Sequence, residues 1–289
     1  MKPPAGRARS GLVALGDSIT VGVGDTVGPD AVHGAGWAAH LAWVLGVEAF
    51  TNLATNGARS RDVAGAQLDA ALPLRPRLAT VFVGGNDVLR SDFDAQCTLA
   101  DLRRCLGELL RAGTDVVLVR LPVIGLFELA PRPVRHVMRR RIAAVNAAVD
   151  TAVDAAVDGP GRVVVVDAAA AIAPAGKRAW HIDRVHPSPA GHRRLASGVA
   201  GELARLDPVY EPAAGARLPA VPAPPSARQR TVWLVRAGLP WCVRRGKDFL
   251  PGLVRSVVHD LRAERALAPG AAERRGHGGA PRARASVQG

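Results

Sequence analysis

Five short apolar runs rich in β-branched residues recur along the chain, at 12–15, 48–53, 78–83, 115–121 and 162–166, each giving way to a helix-like pattern. The run at 48–53 is the weakest. The others are nearly continuous in apolar content, which suits strands buried on both faces of a parallel sheet. Between them the spacing predicts helices over 37–45, 61–72, 95–111 and 133–157. A last helix opens at Ser188-Pro189, an N-cap followed by proline at the first helical position, and runs to 206. The alternation of strand and helix implies a doubly wound α/β domain with helices on both faces of the sheet. Reactive residues in such folds belong in loops beyond the carboxyl ends of the strands, so a motif's position is a test of it.

Four stretches meet that test. Gly16-Asp17-Ser18-Ile19-Thr20 follows the first run directly, where a serine projects from the sheet edge and backbone N–H groups can stabilise an oxyanion. Asn52 to Ala58 follows the second, and Gly57 can offer a backbone N–H where a side chain would obstruct a substrate. Gly84-Gly85-Asn86-Asp87 follows the third, with two glycines for a sharp turn and an amide to aim at developing negative charge. Asp183-Arg184-Val185-His186-Pro187 lies after the fifth run and before the last helix. A serine hydroxyl needs a base to take its proton. Imidazole suits that role near neutral pH, and a carboxylate three residues away can fix its tautomer. Taken singly, each stretch is an ordinary turn or helix cap. Their order, each beyond a predicted strand, is what turns points into chemistry.

As a set these blocks resemble the SGNH hydrolases, also called the GDSL esterase/lipase superfamily, over roughly residues 10–206. The nucleophile block corresponds to Gly16-Asp17-Ser18, the glycine block to Gly57, the Gly-x-Asn-Asp block to residues 84–87, and Asp-x-x-His-Pro to residues 183–187. The resemblance implies a flavodoxin-like three-layer α/β/α sandwich with a five-stranded parallel sheet. It also implies a serine esterase with Ser18 as nucleophile, His186 as base, Asp183 orienting it, and Ser18, Gly57 and Asn86 holding the oxyanion. Two departures stand out: Ile19 where leucine is usual, and Arg184 where small residues are frequent. No cofactor and no metal are expected. The substrate implied is a small-molecule, lipid or sugar ester with an acetyl or short acyl group. An acyltransferase or thioesterase using the same site is an alternative, as is a non-catalytic binding protein acting through the basic tail.

Other residues are weaker candidates. His181 is a rival base, but the Asp183 to His186 spacing matches the pattern and His181 does not. His192 falls in the last helix as a surface or packing residue. Arg90, in the loop after Asn86, is a candidate contact for an anionic substrate, with a solvated arginine as the plainer reading. The apolar stretch 121–127 is either an acyl pocket or core.

The chain has 289 residues and a net charge of +13, unevenly spread: residues 226–289 hold 13 of the 38 Lys and Arg but only 4 of the 25 Asp and Glu. Basicity is thus a property of the tail and says little about the catalytic substrate. The expected organisation is a flexible N-terminus over 1–10, the hydrolase domain over 11–206 and a Pro/Ala-rich linker over 207–225. A basic, Trp-containing helical extension over 226–267 and a disordered tail over 268–289 complete it. The extension, with Trp233, Trp241, Phe249 and Leu250 among arginines, either folds back on the domain, lies on an anionic membrane surface, or meets nucleic acid or protein. Fold-back is favoured and nucleic acid is not expected. The N-terminus is basic, but its apolar stretch is short and runs straight into Ser18, so no signal peptide is expected. Cys97 and Cys105 share one predicted helix about 12 Å apart, too far for a disulfide. A cytoplasmic protein, with membrane contact at most peripheral, is expected.

Overall fold

The computed structural model describes residues 11–26, 34–156 and 159–233, and beyond them 235–236, 240, 254–255, 257–263 and 265. In chain order the elements are β1 (Leu12–Gly16), α1 (Ser18–Val21), α2 (Gly36–Leu45) and β2 (Phe50–Asn52). Next come α3 (Ser60–Asp62), which passes through a π-helical turn (Val63–Gln67) into α4 (Leu68–Ala71), then β3 (Leu78–Phe82), α5 (Ala95–Arg111) and β4 (Asp115–Arg120). The chain continues with α6 (Arg132–Asp154), β5 (Val163–Asp167), α7 (Ala168–Ile172), α8 (Pro189–Leu206) and α9 (Ala227–Trp233).

All five strands are parallel, in the order β2-β1-β3-β4-β5. Every residue of β1 and β3 is buried, the expected fate of continuous apolar runs in a sheet covered on both sides. Side chains alternate between faces, so β1, β3, β4 and β5 feed two cores, while β2 contributes Phe50 to one. Leu12, Ala14, Phe82, Val117 and Val119 pack with Trp37, Leu41, Leu195 and Val199 of α2 and α8. Val13, Leu15, Val81 and Leu118 pack on the other face with Leu68, Leu106 and Leu109 of α4 and α5. The long helix α6 serves both, through Met138, Ile142 and Val145 on one side and Ala148, Val149 and Ala152 on the other. The sheet is thus the middle layer of a three-layer α/β/α sandwich.

The strand order reverses at β1. The chain goes from β1 outward to β2, then returns to β3 on β1's other side, with Leu12 facing Leu78 and Gly16 facing Phe82. Ligand sites in open α/β sheets form at this switch point, beyond the carboxyl ends of the strands. Ser18 follows β1 and Asn86 follows β3, which brings those two motifs together.

The helix expected over 61–72 is interrupted by the π turn, and α1 and α7 are short helices that the apolar spacing does not announce. In the stretch 121–127, Leu121, Ile124 and Phe127 are buried in the core, while Leu126 is exposed. Residues 207–225 run largely without regular structure, consistent with their six prolines. They are nonetheless bonded to the domain. Tyr210 Oη donates to Asp115 at 2.6 Å, Ala213 N to the Val44 carbonyl at 2.8 Å, and Arg193 Nε to the Pro219 carbonyl at 2.8 Å. The expected termini 1–10 and 268–289, the end of the helix expected to 157, and Leu234, Trp241, Arg244, Arg245, Lys247, Phe249 and Leu250 lie outside the described residues. Among the described residues no helix is long and apolar enough to cross a membrane.

Candidate active site

The end of β1 sets the position of Ser18. A Cβ on Gly16 would lie 2.5 Å from the Phe82 carbonyl oxygen and 2.6 Å from Thr20 Oγ1, so only glycine lets β1 close on β3 here. Gln67, buried on the π turn, grips both backbone groups of Gly16: its Oε1 accepts from Gly16 N at 2.8 Å and its Nε2 donates to Gly16 O at 2.9 Å. Asp17 then caps α1 by accepting the Ile19 N–H at 3.0 Å, leaving Ser18 as the first residue of that helix with its N–H unpaired within the helix. Burial pushes the Asp17 carboxyl up to about 6, against the Ile19 bond that favours its charge.

His186 arrives from the far side of the sequence on a narrow loop. Trp180 and Pro187 form an antiparallel bridge, and His181 N donates to the His186 carbonyl at 2.9 Å. The tip between them turns through Arg184 at φ +54°, a left-handed conformation that costs a non-glycine residue roughly 1–2 kcal/mol. Arg184 N donates to His181 O at 3.0 Å, Leu126 N to Arg184 O at 2.8 Å, and Asp183 Oδ1 accepts Val185 N at 2.8 Å and His186 N at 3.0 Å. At about 1 kcal/mol net each, those four bonds exceed the strain. Arg184 itself is exposed on the rim.

The loop delivers the imidazole to the serine. Ser18 Oγ lies 2.8 Å from His186 Nε2, and His186 Nδ1 lies 2.8 Å from Asp183 Oδ2. Of the two candidate bases, His186 faces Ser18. His181 approaches the same oxygen, its Nδ1 3.3 Å from Asp183 Oδ2 but without hydrogen-bond geometry. Burial by itself would raise the Asp183 carboxyl; the facing imidazoles of His181 and His186 outweigh it and hold the group well below the usual carboxylate range.

The other shore of the site is tied together by Asp87, which is buried. Its carboxylate accepts Ser60 N at 3.1 Å and Arg59 Nε at 3.3 Å, so the block after β3 holds the loop after β2. Arg59 reaches on to Asp92 at 2.9 Å. Burial works against the Arg59 charge, but the two carboxylates outweigh it and raise the guanidinium above its ordinary value. Asn86 Nδ2 donates to the Ala58 carbonyl at 3.0 Å and more weakly to Asp17 Oδ2 at 3.3 Å. Gly57 has φ +82°, and a Cβ there would meet no protein atom within 4 Å, so its backbone conformation, rather than crowding by the protein, calls for glycine. Arg90 is half-buried in the loop after Asn86, its N–H donating to the Asp87 carbonyl at 3.0 Å.

His192 is wholly buried. Trp37 N donates to its Nδ1 at 3.1 Å, so the ring proton is on Nε2, 3.0 Å from the Val23 carbonyl, and burial pushes its pKa down to about 4. It holds the 22–26 loop, whose Gly24 packs so closely on Pro187 that a Cβ would lie 2.3 Å from that carbonyl. Asp25 fixes the same loop through His40 at 2.9 Å and Arg193 at 2.9 Å. Gln67 and His192 support the site without belonging to its motifs, and Asp87 does so from within the Gly-x-Asn-Asp block. The one sequence signal for Gln67 is a polar residue on the apolar face of its helix, in line with Val63, Ala64, Leu68 and Ala71.

A serine, an imidazole and a carboxylate in hydrogen-bonded series at the switch point of a parallel sheet belong to a class, the carboxylic ester hydrolases of the α/β/α type. Residues 14–194 match the model of the GDSL-like lipase/acylhydrolase family. The chain belongs to that family, and it is a carboxylic ester hydrolase. Similar solved structures include a catalytic mutant of an acetylxylan esterase from Geobacillus stearothermophilus, 23% identical, covering 67% of this chain and 94% of that one at a TM-score of 0.51. A carbohydrate esterase family 3 protein from Talaromyces cellulolyticus is 17% identical, covering 68% of this chain and 97% of that one at a TM-score of 0.52. At such identities the likeness is one of fold. No curated protein sequence matches significantly.

Proposed function

We propose that the chain hydrolyses acetyl or other short acyl esters through an acyl-enzyme on Ser18. The observation that carries this reading is the 2.8 Å contact between Ser18 Oγ and His186 Nε2, backed by Asp183 on Nδ1. Ser18 Oγ adds to the ester carbonyl as Nε2 takes its proton, and the carbonyl π pair moves onto oxygen. The backbone N–H groups of Ser18 and Gly57 and the Asn86 amide receive that oxyanion. One Asn86 N–H is held by Ala58, while the other, on the long contact to Asp17, is the one to exchange for the oxyanion. Collapse breaks the ester C–O bond, and the imidazolium returns its proton to the departing alcohol. Water, deprotonated by the same nitrogen, then adds to the acyl carbon and frees the carboxylic acid and Ser18. Arg90 is left as a contact for a substrate that carries negative charge. Acetyl esters of sugars, named for the structural neighbours, are the first natural substrates to test.

The test is hydrolysis of p-nitrophenyl acetate, butyrate and octanoate by the wild type and Ser18→Ala. Activity lost in the variant by a factor of about 10³ or more supports the serine mechanism, and the chain-length profile sizes the acyl pocket. Activity surviving intact in Ser18→Ala overturns the assignment.

A further inference from the structure

The described part of the C-terminal extension touches both shores of the site. On the base side, the ring of Trp233, at the end of α9, meets His181 edge-on, with centroids 5.4 Å apart and an interplanar angle of 86°. His181 is the second imidazole at Asp183, and its Nδ1 makes no hydrogen bond although Oδ2 is only 3.3 Å away. On the oxyanion side, Arg141 of α6 donates through Nη1 to the carbonyls of Val88 at 3.0 Å and Arg90 at 2.9 Å, in the segment that follows Asn86. Its Nε and Nη2 each lie 3.2 Å from Asp260 Oδ2, a carboxylate supplied by the extension. With the Arg141 side chain 7% exposed and that of Asp260 18% exposed, this pair is sheltered from solvent screening and anchors the extension.

Asp183 Oδ2 faces two imidazoles, and a second close donor on that oxygen would draw electron density from, and lengthen, the bond to the first. His186 holds that first bond at 2.8 Å. A modest rotation would bring His181 onto the same oxygen, drawing the carboxylate away from the ring that faces Ser18. Building on the reading of Ser18 and His186 above, we propose that Trp233 is a positioning residue: it holds His181 off Asp183 and so reserves that carboxylate for His186. The extension is then a working part of the esterase site, with Asp260 as its anchor.

The experiment uses the full-length chain with p-nitrophenyl acetate and compares Trp233→Ala, Trp233→Phe, Asp260→Asn, His181→Ala and the double variant Trp233→Ala/His181→Ala, with thermal melts throughout. Trp233→Ala is expected to lower kcat about 10-fold with KM within about 2-fold, the scale of a small misplacement of a catalytic group. Trp233→Phe, which keeps an aromatic edge, recovers most of the loss, and Asp260→Asn loses about 3-fold in the same direction. The double variant returns to within about 2-fold of His181→Ala, because the competing ring is gone. A merely structural role for Trp233 cannot produce that recovery. Unchanged kcat in Trp233→Ala, a rise in KM alone, or a loss that persists in the double variant each overturns the proposal. If Trp233→Ala unfolds, the pair Asp260→Asn and Asp260→Asn/His181→Ala decides by the same recovery. Ser18→Ala in the same assay separates the failures: activity there would bring down the serine reading itself, whereas the outcomes above bear on Trp233 alone.

Discussion

Replacing Asp183 with asparagine changes one heavy atom, and the structure dictates which way the new amide must face. Oδ1 accepts two backbone N–H groups, from Val185 at 2.8 Å and His186 at 3.0 Å, while Oδ2 faces His186 Nδ1 at 2.8 Å. Asparagine keeps its oxygen on the two backbone donors, so its NH₂ takes the Oδ2 position. Nδ1 must then accept, the ring proton moves to Nε2, and Ser18 Oγ meets a donor where it needs a base. The expected loss in kcat is about 10⁴-fold, equivalent to about 5 kcal/mol of activation free energy. The assay is p-nitrophenyl acetate turnover at pH 7, with melting curves from pH 7 down to pH 3. Because the native Asp183 carboxyl is held below the ordinary aspartate value of 3.8, the carboxylate contributes stability that is fully present above that pH and fades as acid approaches the depressed native value. The melting-temperature gap between wild type and Asp183→Asn should therefore narrow below pH 3.8. A kcat within 10-fold of wild type at pH 7 would refute the tautomer reasoning.

His192, held neutral with its pKa near 4 against a reference of 6.5, makes the fold acid-sensitive in its own window. The unfolded chain binds more protons between those values, so stability falls as pH drops through them, by about 3 kcal/mol in total. Urea unfolding at pH 7.5 and 4.5 should show a smaller pH loss for His192→Gln than for wild type; equal losses would contradict this. Gln67→Leu preserves apolar volume but orphans the buried N–H of Gly16, at about 1–3 kcal/mol, while the Gly16 carbonyl keeps the Thr55 N–H at 3.2 Å. It should cost about 1–3 kcal/mol in urea unfolding and lower kcat through Ser18; a loss below about 0.5 kcal/mol would show that the Gly16 N–H finds another partner.

The fold was legible because its signals are local. The continuous apolar strands reflect burial on both faces, and Ser188-Pro189 marks the start of α8 to the residue. Helix α5 runs over the expected 95–111. The π turn escaped the pattern because an extra residue in a helix changes its register without changing composition. α1 and α7, at four and five residues, are too short for periodicity to speak.

The site divides in the same way. By itself the sequence pointed to the candidate groups, Ser18, Gly57, Asn86, Asp183 and His186, because each follows a strand and the sheet topology carries all such loops to one edge. It preferred His186 to His181 through the family resemblance, since both flank Asp183 within three residues; in the structure the Trp180–Pro187 bridge and the turn at Arg184 accompany the contact of His186 with Ser18. It could not reveal Gln67 on Gly16, His192 under the 22–26 loop, or Trp233 against His181. Those contacts join residues 51, 169 and 52 positions apart along the chain. Spacing along a chain encodes neighbours within an element, whereas contacts across that distance exist only once the two cores have packed and set the elements against one another.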